Sequence, residues 1–566
     1  MEKLDKDKLI KPAAVICVII AVVLGEIVYF CNTNVSTQIF GRDADSLLVS
    51  MFLEHWYDVF TSHSPILTLR AFWPQLNTLG YSETMLGPGI IYSLLRVFDL
   101  DMFVSYNISF IIIHFAGVIF MYLTLREIGV NRILAYAGLF ISLWSCSFTQ
   151  LSYHSQFFSL AYVPVFTYLM IRMIKNRGKG AKARLLWGIL ATCAFGLICL
   201  SAFYVAYFCS LMLFMLFFFL CIYTILKKGF KYALDFLKVH IKELLFYGLL
   251  QLIWMIPLFL IYLPIYLNNG GYSEYFTLSH SPVLTDIVRT LSYAPVETFL
   301  RDKLPFSVIE GFESLKPNII METSYGWPLI VFLLFLSCIP MSLMIKKKHS
   351  EWSAFLVADV ILTILLIYVS VCRFGNTSLW VALGKFIPGA SAIRATGRAF
   401  AIFTIPVAVI ICYCLSVVSS GVGKEKPVLV NGLFICLLVL LIIPSQAPHV
   451  TNEDTQSIKA WVDSVPAPPD DCSAVVIFPS LSEGAGDDAF NMNMKGWLLA
   501  DKYDLNTING YSGNAPEGWD LIQTDISVYL ENARAWLERN GLSEDPGVYY
   551  YFIDGEMWIR YSEVYF

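Results

Sequence analysis

The sequence predicts an α-helical polytopic membrane protein with about eleven transmembrane helices, followed by a small α/β domain. Long apolar stretches recur between residues 13 and 444 and are separated by polar loops. The chain is 57% hydrophobic and 15% charged, whereas a soluble domain carries about a quarter charged residues. Residues 445–566 have the mixed composition of a soluble domain. We therefore expect a transmembrane module over residues 1–444 and a soluble domain over residues 445–566.

The apolar stretches are the predicted membrane spans. Backbone polar groups in lipid must be hydrogen-bonded within the segment, so each apolar run of about 18 residues or more is predicted to be helical. The predicted spans are 13–30, 102–125, 133–152, 157–174, two within 185–226, 244–267, 327–345, 352–372, 399–418 and 428–444. The first follows a lysine-rich start and has no convincing small-residue cleavage site, so we interpret it as an uncleaved helix. Residues 86–98 and 379–386 are predicted to be partly embedded or interfacial.

The distribution of Lys and Arg predicts the orientation of these spans. When the spans alternate in direction, every strongly basic short loop falls on one side, which is typical of the cytoplasmic side. We therefore expect a cytoplasmic N-terminus, with loops 32–101 and 268–325 and the tail on the outer face of the plasma membrane. The tail has a single cysteine, Cys472, and hence no disulfide framework, which favours a bacterial protein.

The tail alternates segments that are typical of helices and strands. Its predicted elements are helices at 457–465 and 491–501, a strand at 474–478, and a hairpin of 548–553 with 557–561. Asp554-Gly555 supplies the turn of the hairpin, because this dipeptide adopts the backbone that a tight turn requires. The tail is therefore expected to be a small α/β domain outside the membrane.

The composition excludes several classes of function. The chain has no basic patch of the size that nucleic-acid binding needs, and no CxxC pair with metal-binding spacing. The spans show no internal repeat and few mid-span charges, Asp359 being one, whereas transporters tend to have both. The charges of functional interest therefore lie at the predicted outer surface.

Two acids, Asp43 and Asp45, follow the first span at the predicted membrane surface. A carboxylate there can act as a general base on a hydroxyl or bind a divalent cation such as Mg²⁺ or Mn²⁺. Asp is also a favoured helix cap, and the spacing alone favours a cap for a helix that starts at Ser46. His154, in an outer turn, can contact a sugar or phosphate, or can belong to an ordinary interfacial cluster.

Basic residues also gather on the predicted outer side. Arg394 and Arg398 are four positions apart, so a helix would place them on one face. Lys385 and Arg373 lie on the same side nearby in the sequence. Because guanidinium groups bind phosphate bidentately, the cluster predicts a phosphate site. The head groups of anionic lipids are the alternative ligand.

These motifs, in this order, resemble those of the bacterial polytopic glycosyltransferases of the GT-C class. The matching segments are 41–48, 153–162, 393–400 and 509–513 with Pro516. The resemblance implies a GT-C-like catalytic module that uses a lipid-linked sugar. It implies that Asp45 is the general base, with Asp43 as the alternative. Arg394 and Arg398 would hold the lipid phosphate, and His154 would line the site.

The implied activity is transfer of a sugar from a polyprenyl-phosphate carrier to an acceptor hydroxyl of a cell-envelope glycan, lipid or protein. A single displacement predicts inversion at the anomeric carbon, with Lys385 assisting the two arginines. Two alternatives remain at this stage: a transporter or flippase for a lipid-linked or anionic substrate, and a non-catalytic cell-envelope assembly protein. Metal dependence is open, because the two acids could bind a cation while the arginines could neutralise phosphate without one.

Overall fold

In the computed structural model, the membrane part of the chain is a bundle of helices. The structure describes residues 6–31, 33–41, 43–61, 64–176, 181–290, 325–348, 351–445, 451–479, 489–523, 525–545 and 547–563. In chain order the helices are α1 (Lys6–Phe30), α2 (Asp43–Thr61), α3 (Leu86–Val97), α4 (Met102–Glu127), α5 (Arg132–Ile141), α6 (Cys146–Leu151), α7 (Tyr162–Lys175), α8 (Ala181–Cys199), α9 (Phe203–Lys228), α10 (Phe230–Asn269), α11 (Glu274–Ser279), α12 (Leu329–Lys348), α13 (Glu351–Val371), α14 (Leu379–Gly384), α15 (Arg398–Ile402), α16 (Thr404–Glu425), α17 (Pro427–Ser445), α18 (Thr455–Ser464), α19 (Ala489–Lys502) and α20 (Ile526–Arg539).

Eight helical segments within the described ranges are long and apolar enough to cross a membrane. They are α4, α5 with α6, α7 with the 3₁₀ turn before it, α8, α9, α10, α12 and α13. At the three other predicted positions the structure has α1, α16 and α17, whose described apolar parts are shorter. The α-helical polytopic architecture is therefore confirmed, and the two spans predicted within 185–226 are separate helices joined at residues 200–202.

Helix α10 is longer than its predicted span. It runs as one helix of 40 residues from Phe230, whereas the predicted span covered only residues 244–267. The added first part mixes apolar and charged residues and contains no Gly or Pro, so nothing interrupts helical hydrogen bonding there. Hydropathy alone therefore found the apolar part of the helix and missed its polar extension.

The tail folds around a small sheet. In the described parts of the chain as a whole, the strands are β1 (Gln38–Phe40), β2 (Arg373–Phe374), β3 (Thr377–Ser378), β4 (Thr451–Asp454), β5 (Ala474–Phe478), β6 (Asn506–Thr507), β7 (Val548–Phe552) and β8 (Met557–Arg560), of which β4 to β8 lie in the tail. The tail sheet has the order β6-β5-β7-β8, with β5 parallel to both neighbours and β7-β8 antiparallel. The predicted buried strand and hairpin are therefore confirmed.

Helix α20 was not predicted, although its sequence carries the signal. Tyr529, Ala533 and Trp536 are buried, at the spacing of one helix face. Asp525 caps the helix, because its side chain accepts from the backbone N–H groups of Ser527 and Val528. An amphipathic pattern and an Asp cap together mark this helix in the sequence.

The first outer loop is held between the membrane helices and the tail. Strand β1 of this loop pairs antiparallel with β4 of the tail. Asn107 of α4 fixes β1 from the other side, accepting from the Phe40 N–H at 3.1 Å and donating to the Gln38 carbonyl at 2.6 Å. The loop that leads into α2 therefore has its position set by both parts of the chain.

A second segment of the same loop joins the tail domain directly. The backbone N–H of Trp73 donates to the Thr507 carbonyl at 2.9 Å, and the N–H of Thr507 donates to the Arg70 carbonyl at 2.9 Å. The Phe72 ring lies edge-on to the Trp519 ring, with centroids 4.9 Å apart. The tail and the first outer loop therefore share one core.

Candidate functional site

A cavity of about 1670 Å³ lies where the tail domain meets the ends of the membrane helices. Its charged and polar lining includes Asp45, Glu83, His154, Arg394, Arg398 and Tyr511. These residues come from distant parts of the chain: the first outer loop, the turn before α7, the segment around the start of α15, and the tail. Convergence of opposite charges in one large cavity is typical of a binding or active site.

Asp45 lies in the first turn of α2, which begins at Asp43. Its Oδ2 accepts a hydrogen bond from Nδ1 of His154 at 2.7 Å, and its Oδ1 accepts one from the Tyr511 hydroxyl at 2.7 Å. The helix starts earlier than Ser46, so the interpretation of Asp45 as a cap for a helix at Ser46 is wrong. The side chain of Asp43 lies outside the described part of the structure.

The hydrogen bonds define the tautomer of His154. Its Nε2 lies 3.2 Å from Nη2 of Arg398. A guanidinium group can only donate, so this ring nitrogen accepts, and the proton of the neutral imidazole is on Nδ1. Nδ1 therefore donates to Asp45. The result is a directed chain in which Arg398 donates to His154 and His154 donates to the Asp45 carboxylate.

Asp45 is an ionised carboxylate at neutral pH. Burial by itself raises the pKa of this carboxyl. The hydrogen bonds from His154 and Tyr511 and the charge of Arg398 act in the opposite direction, and the pKa of Asp45 is lower than its ordinary value. A group that is deprotonated and in reach of a substrate satisfies the first requirement for a general base.

The two arginines reach the cavity through different local structures. Arg398 begins α15, is 5% exposed, and has its guanidinium carbon 4.9 Å from the centroids of both Phe157 and Tyr204. Arg394 precedes that helix in a non-helical segment, with its guanidinium carbon 5.7 Å from the Tyr272 centroid. The expectation that a helix aligns them is therefore wrong, because the chain turns at residues 396–397. Aromatic faces hold both cations at the cavity wall.

The other two predicted basic residues do not line the cavity. Lys385 forms an ion pair with Glu274 at 2.8 Å, and both side chains are more than 60% exposed. Arg373 belongs to the β2-β3 hairpin, where its backbone N–H donates to the Pro282 carbonyl at 2.7 Å. The structure therefore does not bring these two residues to the cavity wall with Arg394 and Arg398, because residues on one side of a membrane need not converge on one point.

Tyr511 and Glu83 are two of the cavity residues that sequence reasoning missed. Tyr511 belongs to the Asn-Gly-Tyr-Ser-Gly loop of the tail, one of the segments that carry the resemblance to the GT-C class. Glu83 follows a 3₁₀ turn in the first outer loop, and its carboxylate accepts from the backbone N–H of Phe203 at the start of α9. Burial raises the pKa of Glu83 from 4.5 to about 7, although the backbone bond and the charge of Arg398 oppose that rise. No local sequence signal marks Glu83.

The raised pKa of Glu83 predicts a pH-dependent stability. The unfolded chain loses this proton near pH 4.5 and the folded chain near pH 7, so the folded state binds more protons between these values. The free energy of unfolding should therefore fall as the pH rises through this window, by up to about 3 kcal/mol. Glu83→Gln keeps an acceptor for Phe203 and removes the titration. We expect its Tm to match wild type in acid and to exceed it above about pH 7.

The measurement is the Tm of wild type and Glu83→Gln in one detergent across this pH range. Asp286→Asn is a second variant of the same kind, because burial also raises the pKa of Asp286, and its Tm should likewise gain on wild type as the pH rises. Parallel Tm curves for wild type and Glu83→Gln would show that Glu83 titrates alike in the folded and unfolded states.

Within the described ranges, no three His, Cys, Asp or Glu side chains are grouped as a metal site. Asp45 and His154 are near each other, but their facing atoms are joined by a hydrogen bond. Mg²⁺ in proteins is often held by one or two carboxylates together with waters and substrate phosphates. The expected use of Mg²⁺ or Mn²⁺ therefore stays a prediction.

Comparison with known proteins gives a likeness to solved structures only. No family model matches the chain, and no curated protein matches it. The chain is similar to the crystal structure of ArnT from Cupriavidus metallidurans bound to undecaprenyl phosphate, at 10% identity over 94% of this chain and 92% of that chain, with a TM-score of 0.44. The apo state of the same protein gives 11% identity, coverage of 95% and 93%, and a TM-score of 0.38. At such identities, the function has to be inferred from the cavity itself.

Proposed function

We propose that this protein is a membrane glycosyltransferase that moves a sugar from a polyprenyl-phosphate carrier to an acceptor hydroxyl. One observation carries the proposal: a carboxylate, Asp45, and two arginines, Arg394 and Arg398, line the same cavity. A base and a phosphate-binding group must reach one substrate for glycosyl transfer from a phosphate. The site has two halves, the base Asp45 and the phosphate-binding arginines. His154 links them, because it is hydrogen-bonded to both Asp45 and Arg398.

Asp45 is the proposed general base. Each of its oxygens accepts one hydrogen bond, and a carboxylate oxygen can accept a second. The acceptor hydroxyl would give its proton to Asp45 while its oxygen forms a bond to the anomeric carbon. The bond from that carbon to the phosphate oxygen breaks, and the electron pair stays on the phosphate. One displacement from the opposite face inverts the anomeric configuration.

Arg394 and Arg398 are the proposed stabilisers of the leaving phosphate. The negative charge that develops on the phosphate oxygen is best stabilised by cations already held in place. Arg398 meets this requirement, because it is buried between two aromatic rings and donates to His154. Arg394 lies on a second pair of rings, Tyr272 and Phe276. Guanidinium groups so placed can grip phosphate oxygens bidentately.

The apolar part of the cavity supports a lipid-linked donor. It runs between α9 and α10, two of the helices that are long and apolar enough to cross a membrane. Its lining there is Leu211, Phe214, Met255, Leu258, Phe259 and Leu263. A hydrocarbon chain leaving a phosphate at the arginines would bury its surface against these side chains. A soluble nucleotide sugar would leave this apolar surface unused.

The proposed location of the reaction is the outer face of the plasma membrane. The cavity lies on the tail side of the bundle, and the basic short loops predict that this side is extracytoplasmic. The acceptor would then be a cell-envelope glycan, lipid or protein.

The test is sugar transfer by the purified full chain in nanodiscs, with a panel of synthetic polyprenyl-phosphate sugars and cell-envelope acceptor extracts. Each reaction is run with Mg²⁺, with Mn²⁺ and with a chelator. We expect one donor to be consumed, free polyprenyl phosphate to appear, and the product to have the inverted anomeric configuration by NMR. Intact donors throughout, together with movement of the same lipids across liposomes, would instead establish a flippase.

A further inference from the structure

The tail contributes a loop to the cavity wall. Tyr511, Ser512, Gly513 and Asn514 all line the cavity. The loop is tied to the membrane part at several points besides Asp45. Ser512 Oγ donates to the Tyr81 carbonyl at 2.5 Å, and the Tyr272 hydroxyl donates to the Gly513 carbonyl at 3.1 Å. The tail is therefore part of the wall of the proposed active site.

The core of the tail domain fixes the position of this loop. Asn509, directly before it, is fully buried and donates to Asn493 Oδ1 and to the Tyr529 hydroxyl, both at 2.9 Å. Its own Oδ1 accepts from the Ile477 N–H at 2.9 Å. Gly510 lies against the Phe72 ring, where a Cβ atom would come within 2.6 Å of a ring carbon. The backbone that carries Tyr511 is therefore held in place by the core of the tail domain.

The Tyr511 hydroxyl and His154 donate to different oxygens of the Asp45 carboxylate. His154 donates to Oδ2 of Asp45 and Tyr511 donates to Oδ1. Two donors on the two oxygens fix the plane of the carboxylate, because rotation about its last bond would break both contacts. The lone pairs of Asp45 that accept no hydrogen bond from His154 or Tyr511 then have fixed directions. A general base needs a fixed orientation, because a displacement of about 1 Å at a reacting group can lower the rate about a hundredfold.

We propose that Tyr511 is a positioning residue for Asp45, so that the tail domain completes the active site. This proposal rests on the proposed function. It assigns the tail a part in catalysis, and it predicts that the hydroxyl of Tyr511, rather than its ring, is what the reaction needs. The ring has its own partner in Phe490, with centroids 4.8 Å apart.

The test is Tyr511→Phe, which keeps the ring and removes the hydroxyl. The matched control is Tyr549→Phe, because Tyr549 also donates to an aspartate, Asp471, at 2.8 Å in the tail but lies outside the cavity lining. We expect Tyr511→Phe to lower kcat by about tenfold, with little change in KM for the donor. The acid limb of its pH–rate profile should move to higher pH, because one hydrogen bond that lowers the pKa of Asp45 is gone. Tyr549→Phe should match wild type in both respects.

Several results would overturn this role. Unchanged kcat and an unchanged acid limb in a folded Tyr511→Phe protein would show that the contact does not serve catalysis. A faster variant with a lower KM for the acceptor would show that the Tyr511 hydroxyl occupies the place of the acceptor hydroxyl. If wild type consumes no donor, the proposed function fails and this role fails with it. An active wild type with an unaffected variant removes the role of Tyr511 alone.

Discussion

Replacing Asp45 by Asn is expected to lower kcat for sugar transfer by about 10²–10⁴-fold, the usual contribution of a positioned general base. Asn has nearly the same shape but cannot take a proton from the acceptor hydroxyl. Its amide oxygen can still accept from His154, and its NH₂ group can donate to the Tyr511 hydroxyl. The fold around the cavity should therefore survive, and the loss should be chemical.

The donor should still bind to Asp45→Asn. Arg394 and Arg398 remain in the cavity wall, and the apolar groove between α9 and α10 is untouched. The measurement is therefore kcat together with the dissociation constant of the donor in nanodiscs. A large loss in kcat at similar donor affinity is the signature of an interaction made in the transition state.

Asp43→Asn is the matched control, since both residues lie in the first turn of α2. It should retain most of the activity, because Asp45 is the acid held by His154 and Tyr511. An inactive Asp43→Asn beside an active Asp45→Asn would transfer the role of base to Asp43. Two active variants would remove the carboxylate mechanism altogether.

Much of the architecture could be predicted from the sequence, because its signals are local. A run of apolar residues determines that a segment is helical in lipid, whatever its neighbours are. The same holds for the hairpin at Asp554-Gly555, where the turn residues and the flanking β-branched and aromatic residues act together. Hydropathy gives a weaker signal for α2, the helix of the first outer loop, because α2 carries acids and a His among its apolar residues.

The candidate site could be predicted only in part. Asp45, His154 and Arg398 were found because each stands in a short polar segment beside an apolar span. Their hydrogen-bonded chain, and the contact from Tyr511 across 466 positions, depend on how the tail packs on the bundle. The position of Lys385 has the same cause: its place near the arginines in the sequence does not reveal Glu274, which pairs with it at the surface, away from the cavity lining.

The second large effect is expected at Arg398. Arg398→Lys keeps a positive charge but replaces the planar fork by a single ammonium group, which cannot reproduce the geometry that reaches both His154 and a phosphate. We expect kcat to fall by about 10²-fold or more, as for other groups that stabilise developing charge. Arg394→Lys should cost less, since Arg394 is not joined to the chain of hydrogen bonds that ends at Asp45.

The Arg398 variant also tests the link between the two halves of the site. In wild type the guanidinium lowers the pKa of Asp45 and, by donating to Nε2, keeps the proton of His154 on Nδ1, facing the carboxylate. Without that donor the imidazole is free to adopt the other tautomer, in which Nδ1 can no longer donate to Asp45. The acid limb of the pH–rate profile should then move to higher pH in Arg398→Lys and stay in place in Arg394→Lys. If neither variant shifts it, the arginines act on Asp45 through their charge alone, because lysine keeps that charge; if only Arg398→Lys shifts it, the imidazole transmits the effect.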